Sequence, residues 1–269
     1  MTVSISRLPR RGFLALGGSS LATAMLAPSL VLGAPDALEV ATAVNNIELT
    51  GSMAAMAKVE LRRTGAPVRT RDLEVSTARQ GGKDLSDRRY VFLAPADVRD
   101  TKLLVHEQGR KDNDLWLMLP SLGKVRRISA SKQANAFAGT DFSYANLMAM
   151  RLENFTHAIT ASSGSSGSSI TLESTVRSAS YGRSIGYSRA VTQARAGSMV
   201  PFQIDYFDQK GRHLKTQKMS KATRAPDEKH ILRSRHMIVH GKGRETLISL
   251  SKIDFSPNFG GGHFRSQSL

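Results

Sequence analysis

The sequence predicts a mainly β protein, an antiparallel sandwich or barrel, on three observations. Short apolar runs recur at spacings of about a dozen residues, many of them alternate with period two, and Gly, Pro, Asp or Asn stand between them. Few stretches carry helical spacing, which disfavours an α/β sheet.

Taken in order, residues 35–46 suit a short helix, with Leu38, Ala41 and Val44/Asn45 on one side. Met53, Ala55, Ala57, Val59 and Leu61 then recur with period two. After Thr64-Gly65-Ala66-Pro67 a second alternating run follows through Arg69, Arg71, Leu73, Val75 and Thr77. Two strands joined by a Gly-Pro turn account for both. The densest stretch is 89–148: Tyr90–Leu93, Lys102–His106 and Leu115–Leu119 have strand composition, and Gln108 to Asp114 is a polar loop between the last two. Pro120-Ser121-Leu122-Gly123 leads to a further strand at Lys124–Ala130. Residues 141–150 break the rhythm, and Phe142, Leu147 and Met150 are spaced for a helix capped by Thr140 or Asp141. A lengthened hairpin loop, 162–169, separates strands at 154–160 and 170–176. Phe202, Ile204 and Tyr206 pair across Asp208 to Gly211 with Leu214–Met219, and 230–240 pairs with 244–255. The tail, 258–269, has no period and is expected to be flexible.

Three blocks, FLAPADVRDTKLLV (92–105), WLMLPSLGKVRRI (116–128) and GTDFSY (139–144), occur in the order found in a known family, and SYGRSI (180–185) and VPFQIDYFDQKGRHLKTQ (200–217) extend the match. The chain resembles the outer-membrane lipoprotein-sorting proteins with a LolA-like fold. That resemblance implies an open antiparallel half-barrel with a few covering helices, and a periplasmic protein that handles lipid or lipoprotein without catalysing a reaction. It also implies a partner, an inner-membrane lipid transporter.

The N-terminus carries an address. Arg10-Arg11 precedes Phe13-Leu14 and a charge-free stretch reaches Ala34, which resembles a twin-arginine export signal. Gly17, Gly18 and Pro28 weaken a membrane span there. The expected organisation is a signal peptide over 1–34, one lipid-binding domain over 35–257 and the tail, with the mature protein in the periplasm. The chain has no Cys, so disulfides, thiolate catalysis and a lipidated Cys are excluded. Its net charge is +16; the leader supplies three arginines and no acid, so +13 remains with the domain. That excess favours anionic partners, whether phospholipid head groups at a membrane surface, lipopolysaccharide or nucleic acid, the last being the least suited for an exported protein.

A catalytic reading finds no Gly-x-Ser-x-Gly elbow, no His-Glu-x-x-His and no Gly-rich loop opening a helix. His230, His236 and His240 share a strand face, yet residues four apart on a strand stand ~13 Å from each other, too far for one Zn²⁺. Neither metal nor cofactor is expected. Lys124, Arg126 and Arg127, with Arg233 and Arg235, suit an anion-binding rim, although outward strand positions are often charged simply to stay solvated. Phe92, Leu93, Leu103, Leu104, Trp116, Met118, Phe142, Tyr144, Leu147, Met148, Phe202 and Tyr206 would be ordinary core in any β domain. With the resemblance, and with flexible Met beside a lone Trp, they become the expected wall of an apolar cavity for acyl chains, closed by the helix at 141–150. The function expected is a carrier that shuttles lipid or lipoprotein between envelope membranes or to a transporter. The competing classes are an envelope hydrolase and a basic module that binds lipopolysaccharide or another polyanion through its surface.

Overall fold

The computed structural model describes residues 36–109, 111–162 and 168–269. The expected leader and the centre of the Ser-Gly loop lie outside them. Helix α1 (Ala37–Asn45) starts where Asp36 accepts the backbone N–H of Leu38 at 2.7 Å, an N-cap that satisfies one orphan donor. Strands β1 (Ser52–Arg63), β2 (Ala66–Arg79), β3 (Ser86–Ala94), β4 (Lys102–His106), β5 (Asp114–Leu119) and β6 (Lys124–Ile128) follow. After a long connection come β7 (Phe155–Ser162), β8 (Ser169–Val176), helix α2 (Ala179–Ile185), β9 (Arg189–Arg195), β10 (Pro201–Phe207), β11 (His213–Arg224), β12 (His230–Val239) and β13 (Arg244–Asp254).

All the strands join one sheet, ordered β6-β5-β4-β3-β2-β1-β13-β12-β11-β10-β9-β8-β7, with antiparallel pairing. The chain makes one meander outward to β6 and a second from β7 back to β13, which pairs with β1. The sheet does not close, so β6 and β7 are its edges: an open half-barrel.

Period two decides the faces. Met53, Ala55, Ala57, Val59 and Leu61 are buried, and the register sets Ala57 against Leu73 and Leu250, and Val59 against Arg71 and Ile248. That row begins the inner face. Opposed pairs carry it outward through Leu73 with Phe92, Tyr90 with Leu103 and Leu103 with Leu117. The opposite face carries Arg89, Leu104, Trp116 and Arg127, also as opposed pairs. Leu104 and Trp116 therefore face away from the interior.

The link from β6 to β7, residues 129–154, must travel from one sheet edge to the other. It does so across the inner face, as a strap. Phe137, Tyr144 and Leu147 enter a cluster with Leu73, Phe92, Leu103, Val105 and Leu115. Phe142 enters a second cluster, with Phe155, Tyr187, Tyr206 and Met237. The strap is not the α-helix expected over 141–150. It forms a bridge between Ala136 and Ser143 and three 3₁₀ turns, Ala130–Lys132, Tyr144–Leu147 and Leu152–Asn154, the second capped reciprocally by Ser143 and Asn146. A segment that sends side chains into two separate clusters cannot present the single stripe an α-helix offers.

Three other differences stand out. Helix α2 and β9 have no counterpart in the sequence reading, because Ala, Thr, Gln and Arg make a strand of low hydropathy. The rim trio splits: Lys124 and Arg126 lie opposite Leu119 and Leu117, whereas Arg127 lies opposite Trp116 on the other face and pairs with Asp114. The tail is also built into the fold. Its residues form turns and a 3₁₀ turn at Ser266–Ser268, and Phe259 stacks on His263 with ring centroids 4.4 Å apart. The backbone of Phe264 contributes to the environment of His106, on the same outer face as Leu104 and Trp116. An apolar outer face gives the tail something to cover.

Asp141 pins the strap to the sheet. Its backbone N–H donates to Thr246 Oγ1 at 3.0 Å, Thr246 Oγ1 donates to its carboxylate at 2.8 Å, and Arg244 Nε lies 2.8 Å from the other carboxylate oxygen. Thr246 is fully buried on β13. Thr246→Val keeps the shape but leaves the Asp141 amide and carboxylate short of a partner. We expect a loss of about 1–3 kcal/mol in urea unfolding; an unchanged midpoint would mean that the strap is held elsewhere.

Candidate functional site: a cavity under the strap

Between the strap and the inner face lies a cavity of about 240 Å³. At ~30 Å³ per water in the liquid this is room for roughly eight waters, or a chain of about as many methylenes, which are similar in size. It is smaller than the ~300–1,000 Å³ of pockets that hold drug-sized ligands. The wall is drawn from both meanders. Ile204, Met219, Leu232, Ile248 and Leu250 come from the sheet, and Ile47 and Leu49 from the α1–β1 connection. Met148 and Met150 come from the strap and, with Met53 and Met219, give the wall four flexible thioethers.

Of the residues expected to line a cavity, Phe142, Leu147, Met148 and Tyr206 do so. Phe92, Leu103 and Tyr144 are packed in the cluster beside it. Leu104, Trp116, Met118 and Leu93 belong to the outer face, since their neighbours Leu103, Leu115, Leu117 and Phe92 point inward. Trp116 meets His106 edge to face at 5.1 Å. Phe202 is half-buried near the Arg195 guanidinium, 5.9 Å from its ring centroid, and outside the wall. Lys124 and Arg126 are exposed on β6, away from the wall.

The polar part of the wall was not expected from the sequence, apart from Arg235, which was named there for an anion-binding rim. Arg88 and Glu107 form an ion pair at 3.2 Å. Glu107 also accepts from Ser86 N and Oγ, both at 2.9 Å, and from Ala149 N at 2.8 Å, so it ties the strap to β3. Burial is the largest single influence and opposes the charge on Arg88, yet Glu107, Tyr90 and Glu48 together outweigh it and hold the guanidinium above its ordinary pKa. Arg235 of β12 pairs with Glu48 of the α1–β1 connection. The Tyr206 hydroxyl donates to Gln217 Oε1 at 3.1 Å, and burial pushes its pKa well up. Asn45 exchanges two hydrogen bonds with Met150, at 2.8 and 3.0 Å, tying helix α1 to the strap. A signal existed in β12: Arg235 shares its parity with Met237 and Val239, so an inward Met implies an inward Arg.

Behind the wall, Lys215 donates to Asn146 Oδ1 at 2.7 Å and lies 5.4 Å from the Tyr206 ring centroid. Burial lowers its pKa to about 8, with Asp141 opposing the drop and Arg244 adding to it. Among the described residues, no group of three or more His, Cys, Asp or Glu is placed to hold a metal ion. No described helix is long and apolar enough to cross a membrane.

This architecture has known counterparts. A domain described as an outer membrane lipoprotein-sorting protein, from Vibrio parahaemolyticus, superposes with a TM-score of 0.78 at 23% identity, covering 86% of this chain and 97% of that one. A DUF1329 family protein from Desulfovibrio piger gives 0.76 at 24% identity over 86% and 96%. A LolA superfamily protein from Nitrosomonas europaea gives 0.67 at 15% identity over 88% and 100%. No curated protein matches the sequence. Residues 86–269 match a family model described as "-like: Uncharacterized protein". The chain belongs to that family, and its fold is LolA-like. The half-barrel of the lipoprotein-sorting proteins is thus the frame in which this LolA-like chain builds its strap and cavity.

The buried Lys215 gives the LolA-like frame a pH dependence. Its proton leaves near pH 8 in the folded chain and near 10.5 in the unfolded one. Between those values the unfolded state holds more protons, so stability rises with pH; below 8 the full cost of the buried charge is present. In Lys215→Met that rise is absent. The wild type is expected to gain about 3 kcal/mol on the variant from pH 8 to 10.5. Urea unfolding at several pH values measures it, and parallel curves would contradict the burial of the charge.

Proposed function

We propose that the protein is a non-enzymatic periplasmic carrier that holds an acyl chain of a lipid or lipoprotein in the cavity under the strap and passes it between envelope membranes. The observation that carries this reading is the Met-lined cavity beneath the connection that crosses the open face of the half-barrel. Burying about eight methylenes, at ~0.8 kcal/mol each, contributes roughly 6 kcal/mol, enough to shield a short chain and not so much that it cannot be released. Longer chains need the strap to move. It is held by hydrogen bonds to Glu107, Asn45 and Thr246 and by the apolar side chains of Phe137, Phe142, Tyr144 and Leu147, and these contacts are what its movement must exchange for the chain.

The basic edge strand suits contact with an anionic membrane. Lys124 and Arg126 have no ion-pair partner among the described residues, and Leu122 and Val125 beside them are 44% and 42% exposed. Export by the N-terminal Arg10-Arg11 signal and a membrane transporter as donor or acceptor belong to the same reading. The transporter rests on family likeness.

Extraction of the purified protein and mass spectrometry should find acyl lipid, and a neutral fluorescent acyl ester should bind saturably. Ala145→Phe, which places a ring in the strap's part of the wall, is expected to weaken that binding at least tenfold with little change in unfolding temperature. A protein that carries no lipid and binds no ester would overturn the carrier, and binding of lipopolysaccharide by such a protein would favour a surface module.

A further inference from the structure

The two arginines in the cavity wall are held very differently. Arg88 uses all three of its nitrogens: Nε donates to Ser86 Oγ at 2.9 Å, Nη1 to the Leu147 carbonyl at 2.8 Å, and Nη2 meets Glu107. It is a structural tie. Arg235 has one hydrogen-bond partner among the described residues, Glu48, reached through Nη2 alone. Its Nε and Nη1 make no hydrogen bond to described protein groups and are not sealed from solvent, and the side chain is 24% exposed. A guanidinium carries five N–H donors in a planar fork. Most of that fork is unused.

Its position makes the omission informative. Arg235 stands opposite Met219 on β11 and Ile248 on β13, both wall residues, and it lines the cavity itself. As a device for stability a half-buried ion pair is poor, since an apolar side chain of similar volume commonly does as well or better. The carboxylate of Glu48 is also shared, because its other oxygen accepts the Leu232 amide at 2.8 Å. Neighbouring acceptors are taken as well: Gln217 Oε1 by Tyr206, and Asn146 Oδ1 by Ser143 and Lys215. In the wall itself Arg88 and Arg235 face the carboxylates of Glu48, Asp84 and Glu107, so the unused donors of Arg235, rather than a net positive charge, mark the site.

We propose that the ligand is an amphiphile with one anionic head, a carboxylate or a phosphate monoester, and that Arg235 binds this head through the free edge of its guanidinium while the chain lies along the Met-lined wall. The inference rests on the carrier reading and adds the ligand's class. A planar fork suits both oxygens of either anion, and the pairing is stronger for lying outside bulk water. Glu48 keeps Arg235 in place when the cavity holds no head group and competes mildly with the ligand when it does.

Octanoate, octyl phosphate and octanol share a chain that matches the cavity and differ only in the head. Each is used to displace the neutral fluorescent ester at pH 7.5. The anions should bind at least tenfold more tightly than octanol, and the tighter of the two names the head-group source, fatty acid or phosphorylated lipid. Arg235→Met should bring both anions to the level of octanol and leave octanol within about twofold of wild type. Glu48→Gln should tighten the anions alone. If octanol matches the anions on the wild type, the head-group assignment is overturned while the carrier stands, and that comparison decides even if Arg235→Met does not fold. If none of the three displaces the ester, the assignment falls too; if the ester itself does not bind, the carrier reading has failed first.

Discussion

Everything in this structure depends on one topological constraint. Two meanders are joined at β1 and β13 and end at opposite edges of an unclosed sheet, so the link between β6 and β7 has to cross the open face. A connection forced over an apolar concavity must bury side chains there, and it must satisfy its own backbone groups without a ladder. Residues 129–154 do both. Phe137, Tyr144 and Leu147 fill one half, Phe142 fills the other, and Thr246, Glu107, Asn45 and Arg88 supply the polar partners. The space left beneath the strap is the cavity.

The same constraint explains why charge sits in an apolar wall. Strap carbonyls and amides that find no strand partner need side chains that reach them from the sheet, and Arg88 and Glu107 do this for Leu147 and Ala149. Once such groups line the cavity, it is amphipathic. Arg235 differs only in having donors to spare, and that difference separates a brace from a binding group.

Much of the fold was legible in the sequence because period two survives wherever one face is wet. β1, with Met53 to Leu61, read directly from that period, and β4, at Lys102–His106, from its apolar composition, since both of its faces are buried. The face of β5 did not, because Leu115-Trp116-Leu117-Met118 is apolar on both sides. The tail covers the outer face there, and no polar residue marks which side is in. Trp116 was consequently expected in the cavity wall although it lies on the outer face. Strap residues Phe142 and Leu147 were found as apolar and near the site, but their spacing mimicked a helix although they serve separate clusters. Glu48 stayed hidden, and Arg235 was legible only as a rim cation, because a charged residue on a strand is usually outward and only pairing across the sheet turns this one in.

The most direct measurement is methyl NMR of the methionines during titration with octanoate. Met53, Met148, Met150 and Met219 line the cavity, whereas Met118 lies on the outer face. If the strap closes an acyl site, the four wall methyls shift together and saturably while Met118 stays in place. Shifts confined to Met118, or none at all, would contradict it.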